Sequence, residues 1–308
     1  MKNPKYKKIL VSFLIGALIL QAGLIGYSMI GNGTLGFKSK DVGVSPHTEV
    51  RNQIDSNGKS EAIGEVKEDN NIKDQTSNEI SQEILGLIKS SDPDNYNRNV
   101  DNYRKLLKDL NVHIIYKNEI ERLMKKGFKV PDILTAYTFL NDCYGNMNDL
   151  EAFLKEKKKG REWADIFKEY NKKHPAFMPS NFDSMYLDKL LKTQDINQDD
   201  LMIADRVSQN AKVDFSDVIN KRINGVSWRA INAQYKIVNG LEESPHLNVT
   251  SEQLERYATQ SKLTEEEVID ALTISRKLGS SADSVLKSMK QGLSKEEIYA
   301  GAYLKKFN

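Results

Sequence analysis

The amino-acid sequence predicts an all-α chain with an N-terminal transmembrane helix, a disordered stalk and three repeated units of about four short helices each. Three observations predict this organisation. One uncharged apolar run lies near the N-terminus, a polar aperiodic stretch follows it, and three glycines 65 and 67 residues apart anchor an internal repeat. No segment combines the period-2 alternation of a strand with flanking hairpin turns, so no sheet is expected.

The apolar run covers residues 9–30 and reads ILVSFLIGALILQAGLIGYSMI, which is 22 residues without a charge. A helix of roughly 20 such residues spans the hydrocarbon core of a bilayer. A cleaved signal peptide usually has an apolar region of about 7–15 residues that ends at a small-x-small site. The best such site, Gly26-Tyr27-Ser28, lies inside the run. We therefore predict an uncleaved membrane anchor, with the lipid bilayer as its partner.

The charges that flank the apolar run predict its orientation. Residues 1–8 carry four lysines and no acidic side chain, whereas residues 31–36 carry no charge. Cytoplasmic flanks are enriched in Lys and Arg. Residues 1–8 are thus expected to be a cytoplasmic tail, and the chain after residue 31 is expected to lie outside the cell membrane. Small residues four positions apart, such as Ala22 and Gly26, also permit self-association through this helix.

Residues 31–77 are polar, and their few apolar side chains are isolated and aperiodic. Such a segment cannot bury enough apolar surface to offset the entropy of ordering its backbone. The sequence therefore predicts a disordered linker, whose root-mean-square reach as a random coil is roughly 35–40 Å.

Helical periodicity begins near residue 79, and residues 78–112 are expected to form N-terminal helices. The chain then resembles itself in three ranges, which are residues 113–173, 180–240 and 247–308, anchored on Gly160, Gly225 and Gly292. Each glycine is expected to end a helix with a positive φ angle. An apolar pair stands seven residues before each glycine and an isoleucine six residues after it. Because several positions agree in one register, the sequence predicts three copies of the same structural unit.

Helix start signals support the same division. Thr264 with Glu267 and Ser294 with Glu297 have the capping-box spacing, and Asn148 with Glu151 is a close variant of it. Ser227 stands where Ser294 stands, so we expect it to cap the helix that begins at the next residue.

The order of an apolar helix, a glycine turn and Trp-x-x-Ile occurs at Trp163–Ile166 and again at Trp228–Ile231. This order resembles helical repeats of uncharacterised membrane-anchored proteins of low-GC Gram-positive bacteria. The Lys-, Asn- and Ile-rich composition fits such a source. The resemblance covers residues 117–308 and implies no known activity.

The sequence contains no recognisable catalytic, cofactor-binding or metal-binding motif. The four histidines are isolated from one another and from the single cysteine, Cys143, so zinc-ligand spacing is absent. No phosphate loop, nucleophile elbow or calcium loop is present. The formal net charge of +2 is smaller than the charge of the first eight residues alone, so the folded part lacks the basic footprint of a nucleic-acid binder. We therefore predict no enzyme, no cofactor and no nucleic-acid partner.

Four aromatic residues are the first candidates for interaction: Trp163, Tyr170, Trp228 and Tyr235. They recur at equal offsets from Gly160 and Gly225, and could form a repeated aromatic groove for a peptide or glycan. The alternative is favoured, because Trp, Ile and Tyr at positions i, i+3 and i+7 mark one helix face that closes a core.

Two further segments are candidates. The connector His174–Pro179 is apolar but contains prolines, and its Phe177 and Met178 are expected either to pack between the first two units or to form an exposed partner site. The basic run Lys155–Arg161 is expected to be a solvated helix end, with contact to wall polymers or anionic lipid as the alternative.

These observations predict a membrane-anchored, extracytoplasmic, non-catalytic interaction module whose partner is an exported protein or the cell wall. The runner-up is a membrane-anchored DNA reader, because Gly-x-Ser-Trp-x-x-Ile at Gly225–Ile231 is similar to the start of a helix-turn-helix. The second alternative is a cell-wall-acting enzyme whose site has no recognisable motif.

Overall fold

The computed structural model describes residues 11–14, 79–244 and 246–308, and this part of the chain contains fourteen α-helices and two four-residue strands. The predicted all-α class is confirmed for residues 79–308. All of these residues belong to one structural unit. The predicted stalk and most of the predicted membrane helix are therefore not described.

The helices follow the chain as one pair and three sets of four. The pair is α1 (Gln82–Ser91) and α2 (Tyr96–Asp109). The first set is α3 (Ile114–Lys125), α4 (Val130–Cys143), α5 (Leu150–Lys158) and α6 (Trp163–Lys173). The second set is α7 (Ser184–Leu191), α8 (Gln198–Ala211), α9 (Phe215–Ile223) and α10 (Trp228–Gln234). The third set is α11 (Ser251–Ser261), α12 (Glu265–Leu278), α13 (Ala282–Lys290) and α14 (Lys295–Phe307). Each set falls within one of the three predicted repeat ranges, and the sets are called units 1, 2 and 3.

Most of the predicted helix boundaries are present. Thr264 and Ser294 form capping boxes at the starts of α12 and α14, and the Ser227 side chain accepts the backbone N–H of Ala230 at the start of α10. Gly160, Gly225 and Gly292 have φ angles of 90°, 81° and 88°, a backbone conformation that L side chains rarely adopt. The glycines therefore end α5, α9 and α13 as predicted.

The predicted capping box at Asn148 is wrong. Asn148 lies inside a 3-10 turn, Met147–Asp149, that runs directly into α5. The cap of this continuous segment is Asn146, whose side chain accepts the backbone N–H of Asn148 at 2.9 Å. Asn148 cannot act as the cap because the backbone already turns helically at that point.

The three units do not stack in serial order. One hydrophobic core is shared by the α1–α2 pair, unit 1 and unit 3, and it includes Ala233 and Val238 of unit 2. The rest of the unit 2 core is a separate cluster, which includes Tyr144 of unit 1. Helix α14 packs against α4 and α6, where the Phe167 and Tyr303 rings lie 6.2 Å apart. The first and third units therefore bury apolar surface against each other, although unit 2 separates them in sequence.

Unit 2 is joined to unit 1 by polar contacts along residues 229–240. The Tyr116 hydroxyl lies 3.0 and 2.8 Å from the carbonyl oxygens of Asn232 and Ile237. The backbone N–H of Val238 donates to the carbonyl of Gly145 at 2.8 Å. These partners are more than 90 residues apart, so only the folded chain brings them together.

The C-terminal end of α4 is where all three units meet. Its last carbonyls have no partner within the helix and must be satisfied by other groups. Three side chains donate to them: Lys277 of unit 3 to Asp142, and Arg206 and Asn210 of unit 2 to Cys143 and Tyr144. The two cations also interact favourably with the negative end of the helix dipole.

Two short strands differ from the sequence analysis. Val11–Leu14 (β1), which the sequence places inside the membrane helix, pairs in antiparallel register with His246–Val249 (β2). The helix predicted for these four residues is thus not observed. β-Branched and aromatic residues such as Val11 and Phe13 favour strands, and the edge of β2 offers unpaired backbone groups. Among the described residues no helix has both the length and the apolar character needed to span a membrane.

Candidate functional site

An open groove of about 650 Å³ lies between α5 and α6 of unit 1. Gly160 turns the chain between the two helices, and the apolar pair of α5 faces the core. These two features fix the position of α5 beside α6. The groove contains part of the basic run Lys155–Arg161, the aromatic candidate Tyr170 and the first residue of the connector, His174. The structure thus brings together three features that the sequence presents separately.

The floor of the groove is apolar. Phe153 of α5 and Ile166 and Tyr170 of α6 are buried, and they belong to the core shared by units 1 and 3. The Phe153 and Tyr170 rings meet edge to face, with centroids 5.1 Å apart. The exposed His174 ring stacks on Tyr170 at 4.0 Å. Because the other side chains of the floor are buried, the aromatic surface that a ligand can reach is chiefly the His174 ring.

The rim of the groove is charged and carries more positive than negative groups. Five cations line it against three carboxylates: Lys155, Lys158, Lys159, Arg161 and Lys173 against Asp149, Glu156 and Glu169. Arg161 spans the two helices, because its Nη1 lies 3.1 Å from a Glu156 oxygen and 2.7 Å from a Glu169 oxygen. The formal excess of two positive charges favours an anionic ligand.

The ion pairs perturb the acids of the rim. Hydrogen bonds from Lys173 and then Arg161 lower the pKa of the Glu169 carboxyl to about 2, and those from Lys159 and Arg161 lower the pKa of Glu156. Burial raises the pKa of Asp149, against the opposing effects of His174 and Tyr170. Glu156 and Glu169 are therefore ionised and paired at neutral pH, and neither is a candidate proton donor.

The predicted tryptophans lie in the cores and not at a binding surface. Trp163 and Trp228 are both 0% exposed, and each is the first residue of the fourth helix of its unit. The Trp163 ring stacks on Phe167 at 5.5 Å, and Phe167 stacks on Phe139 at 3.9 Å. Both tryptophans therefore help to close a core, which is the alternative that the sequence favoured for them.

A carboxylate accompanies each tryptophan at equivalent positions in α4 and α8, half-buried in unit 1 and buried in unit 2. In unit 2 the Trp228 indole N–H donates to Asp200 Oδ1 at 2.7 Å, and Asp200 is 0% exposed. In unit 1 burial raises the pKa of Asp132, and the nearby Trp163 indole is among the groups that oppose this shift. The Trp163 N–H nevertheless makes no hydrogen bond of standard geometry among the described residues.

The remaining predicted residues are divided between core and surface. Tyr170 lines the groove, and Tyr235 is half-buried beside the core of unit 2. Phe177 is buried beneath the Arg206 guanidinium, 5.6 Å from the ring centroid, whereas Met178 is 67% exposed. The connector thus packs against unit 2 through one side chain and presents the other to solvent.

Three further features of the described residues bear on metal binding, thiol reactivity and DNA reading. No cluster of three or more His, Cys, Asp or Glu side chains among them could hold a metal ion. Burial raises the pKa of the Cys143 thiol to about 12, so it is not a reactive thiolate at neutral pH. In α10, six of the seven residues are buried, so this helix cannot enter a DNA groove as a recognition helix.

Sequence reasoning missed most of the groove. In the sequence, Phe153 and Ile166 are positions of the repeat, and Glu169 and Lys173 are not predicted to bind a ligand. The available signal was the i, i+4 spacing of Glu169 and Lys173 on the helix that follows the basic run.

The chain matches no family model, no curated protein and no solved structure.

Proposed function

We propose that this protein is a non-catalytic, membrane-anchored interaction module of the cell envelope that binds an anionic segment of a wall polymer or exported protein. The observation that carries the proposal is the α5–α6 groove, which combines an apolar aromatic floor with a rim of excess positive charge. Shallow, charged and open sites of this kind suit an extended ligand better than a small enclosed substrate.

The envelope location rests on the sequence of the first 36 residues. Four lysines precede 22 uncharged residues, and the outer flank is uncharged. Insertion of residues 9–30 into a bilayer excludes the β1–β2 pairing, because Val11–Leu14 would then lie in the hydrocarbon core. A membrane helix satisfies these backbone groups internally, which a lone strand in lipid does not.

Two cysteine experiments test the location. Ser56→Cys in the stalk should react with an impermeant maleimide in intact cells, and labelling only after lysis would contradict the orientation. Ser12 faces Asn248 in the strand pair. The double variant Ser12→Cys, Asn248→Cys should give no intramolecular disulfide in membranes, since residue 12 would then lie in the hydrocarbon core and residue 248 outside the membrane. An efficient disulfide would contradict the anchor.

The ligand class is tested with paired charge variants. Lys155 and Lys158 line the groove, and the repeat places Lys287 and Lys290 at equivalent exposed positions of α13, outside the groove. Lys155→Gln with Lys158→Gln should weaken binding of poly-L-glutamate and of purified Gram-positive cell walls by severalfold, because each exposed charge pair contributes about 0.2–1 kcal/mol. The matched variant Lys287→Gln with Lys290→Gln has the same net charge and should bind as the original protein does.

Three outcomes would overturn the proposal. Equal losses in the two double variants would show only nonspecific charge attraction. Binding that is insensitive to salt between 50 mM and 200 mM would exclude a ligand held at an exposed charged rim, since such attraction is screened. Turnover of wall material or peptide by the purified protein would favour the enzyme alternative.

A further inference from the structure

The outer side of unit 2 carries an apolar surface that its sister units lack. Of the seven exposed large hydrophobic side chains in the described residues, four lie between residues 178 and 191. Next to them, the Phe182 and Phe215 rings lie 4.4 Å apart, and Tyr186 meets Phe215 at 6.2 Å. Met185 is 76% exposed beside Tyr186. We call Phe182, Met185, Tyr186 and Phe215 the α7–α9 patch.

The repeat provides an internal comparison for this patch. In unit 1 the positions of Met185 and Tyr186 hold Asn118 and Glu119, and in unit 3 they hold Glu252 and Gln253. Three related helices therefore share one fold, and only one of them has apolar residues at these two surface positions. The fold itself does not require the apolar pair.

In unit 1, ion pairs cover the surface that corresponds to the α7–α9 patch. Arg122 of α3 binds Glu119 on its own helix and Glu151 at the start of α5, with a distance of 2.7 Å to the latter. Unit 2 has Lys189 and Ser216 at the positions of Arg122 and Glu151, so it lacks the carboxylate that this bridge needs. Aromatic rings stand where unit 1 has an ionic network.

Helix α7 is also packed less than its counterpart. Only Leu190 is buried in α7, whereas α3 buries five residues: Tyr116, Lys117, Ile120, Leu123 and Met124. Part of the difference comes from α1, which packs against α3 and buries its own Ile84 and Ile88. The first helix of unit 3, α11, also buries a single residue, Ser261, so units 2 and 3 share the low burial of this helix.

The charges around the α7–α9 patch define the complementary partner. Four exposed carboxylates and three exposed ammonium groups lie close to it in sequence: Asp183, Asp188, Asp214 and Asp217, with Lys189, Lys192 and Lys212. The excess is negative, which is opposite in sign to the excess at the α5–α6 groove. Contiguous apolar patches with a polar rim mark interaction sites, and exposed Met and aromatic side chains adapt to helical ligands.

We propose that the α7–α9 patch docks a basic amphipathic helix of another protein. The patch binds the apolar stripe of that helix through Met185, Tyr186 and Phe215, and the surrounding carboxylates bind its Lys or Arg side chains. This surface is separate in residues and in charge from the α5–α6 groove, so the two sites take different ligands.

The test uses the full-length chain and a synthetic helical peptide with leucines at i, i+3, i+4 and i+7 and lysines on the opposite face. The patch variant Met185→Asn with Tyr186→Glu installs the residues that unit 1 has at these positions. The control variant is Leu293→Asn, which removes an apolar side chain that is 40% exposed in unit 3. Binding is measured by fluorescence anisotropy of the labelled peptide, and folding by circular dichroism.

The expected result is at least a tenfold loss of peptide affinity in the patch variant, no loss in Leu293→Asn, and an unchanged unfolding midpoint in both. A peptide with glutamates in place of the lysines should bind the original protein at least tenfold more weakly. Equal affinity of the patch variant and the original protein would overturn the proposal. So would a concentration-dependent dimer that the patch variant abolishes without peptide binding, because the occupant would then be a second copy.

Discussion

The two buried tryptophans allow one hydrogen bond to be measured against a control within the same chain. Trp228 donates to the buried carboxylate of Asp200, whereas Trp163 makes no hydrogen bond of standard geometry beside Asp132. Replacement by Phe removes the indole N–H and part of the ring in both cases. The two substitutions therefore differ mainly in the hydrogen bond.

The magnitudes follow from the contacts. Truncation of either tryptophan to Ala should cost about 3–5 kcal/mol, and Phe, which keeps most of the apolar volume, should cost about 1–2 kcal/mol from packing alone. A hydrogen bond to a charged group contributes about 1.5–3 kcal/mol. Trp228→Phe should therefore lower the free energy of unfolding by about 1.5–3 kcal/mol more than Trp163→Phe does.

The assay is urea unfolding of the purified full-length chain, followed by circular dichroism. Each variant keeps one of the two tryptophans, whose fluorescence reports its own core. Asp200 also accepts a hydrogen bond from Arg222 Nε at 2.8 Å, so the tryptophan–aspartate contribution must be separated from that contact. Double-mutant cycles with Asp200→Asn and Asp132→Asn isolate the coupling energy of each Trp–Asp pair. Equal coupling energies in the two units would refute the argument, and a cost below about 1 kcal/mol for Trp228→Ala would indicate an exposed ring.

Two further predictions concern the joints between units. Burial lowers the pKa of Lys277 to about 8, and the unfolded chain keeps this proton to about pH 10.4, so the unfolded state binds more protons between these values. The free energy of unfolding should therefore rise between pH 8 and 10. Urea midpoints should show a smaller rise in Lys277→Met, and the same pH dependence of the midpoint in both proteins would contradict this. A Cβ at Gly240 would lie 2.4 Å from the carbonyl oxygen of Asn111, so Gly240→Ala should destabilise the fold by about 1–3 kcal/mol. Gly301→Ala, at an open position within α14, should stabilise it by about 0.5–1 kcal/mol, and thermal unfolding of both variants checks the pair.

Local features of the repeat could be predicted because they depend on neighbouring residues alone. A glycine at φ near 90° and a Ser or Thr three residues before Glu form the same turn and cap in any context. The burial of Trp163 and Trp228 followed from their i, i+3 spacing to Ile. The capping box predicted at Asn148 was wrong for a local reason too, since Met147–Asp149 form a 3-10 helix that continues into α5.

The surfaces could not be predicted from the spacing of residues. In the sequence the charges of Glu156, Arg161 and Glu169 show no relation to one another. They form one network only because α5 and α6 pack together and Arg161 pairs with both acids. The α7–α9 patch combines residues about 30 positions apart, and its significance depends on knowing which positions of the repeat face solvent.

The sequence by itself determined that the described part from residue 79 onward is helical, where several of its helices begin and end, and that Trp163 and Trp228 are buried. Only the tertiary structure decided that α14 of unit 3 packs on α4 and α6 of unit 1, and that Lys277, Arg206 and Asn210 meet at the end of α4. Helix propensity and capping are set within a few residues along the chain. Which apolar faces meet depends on the shapes of surfaces that exist only once the helices have formed.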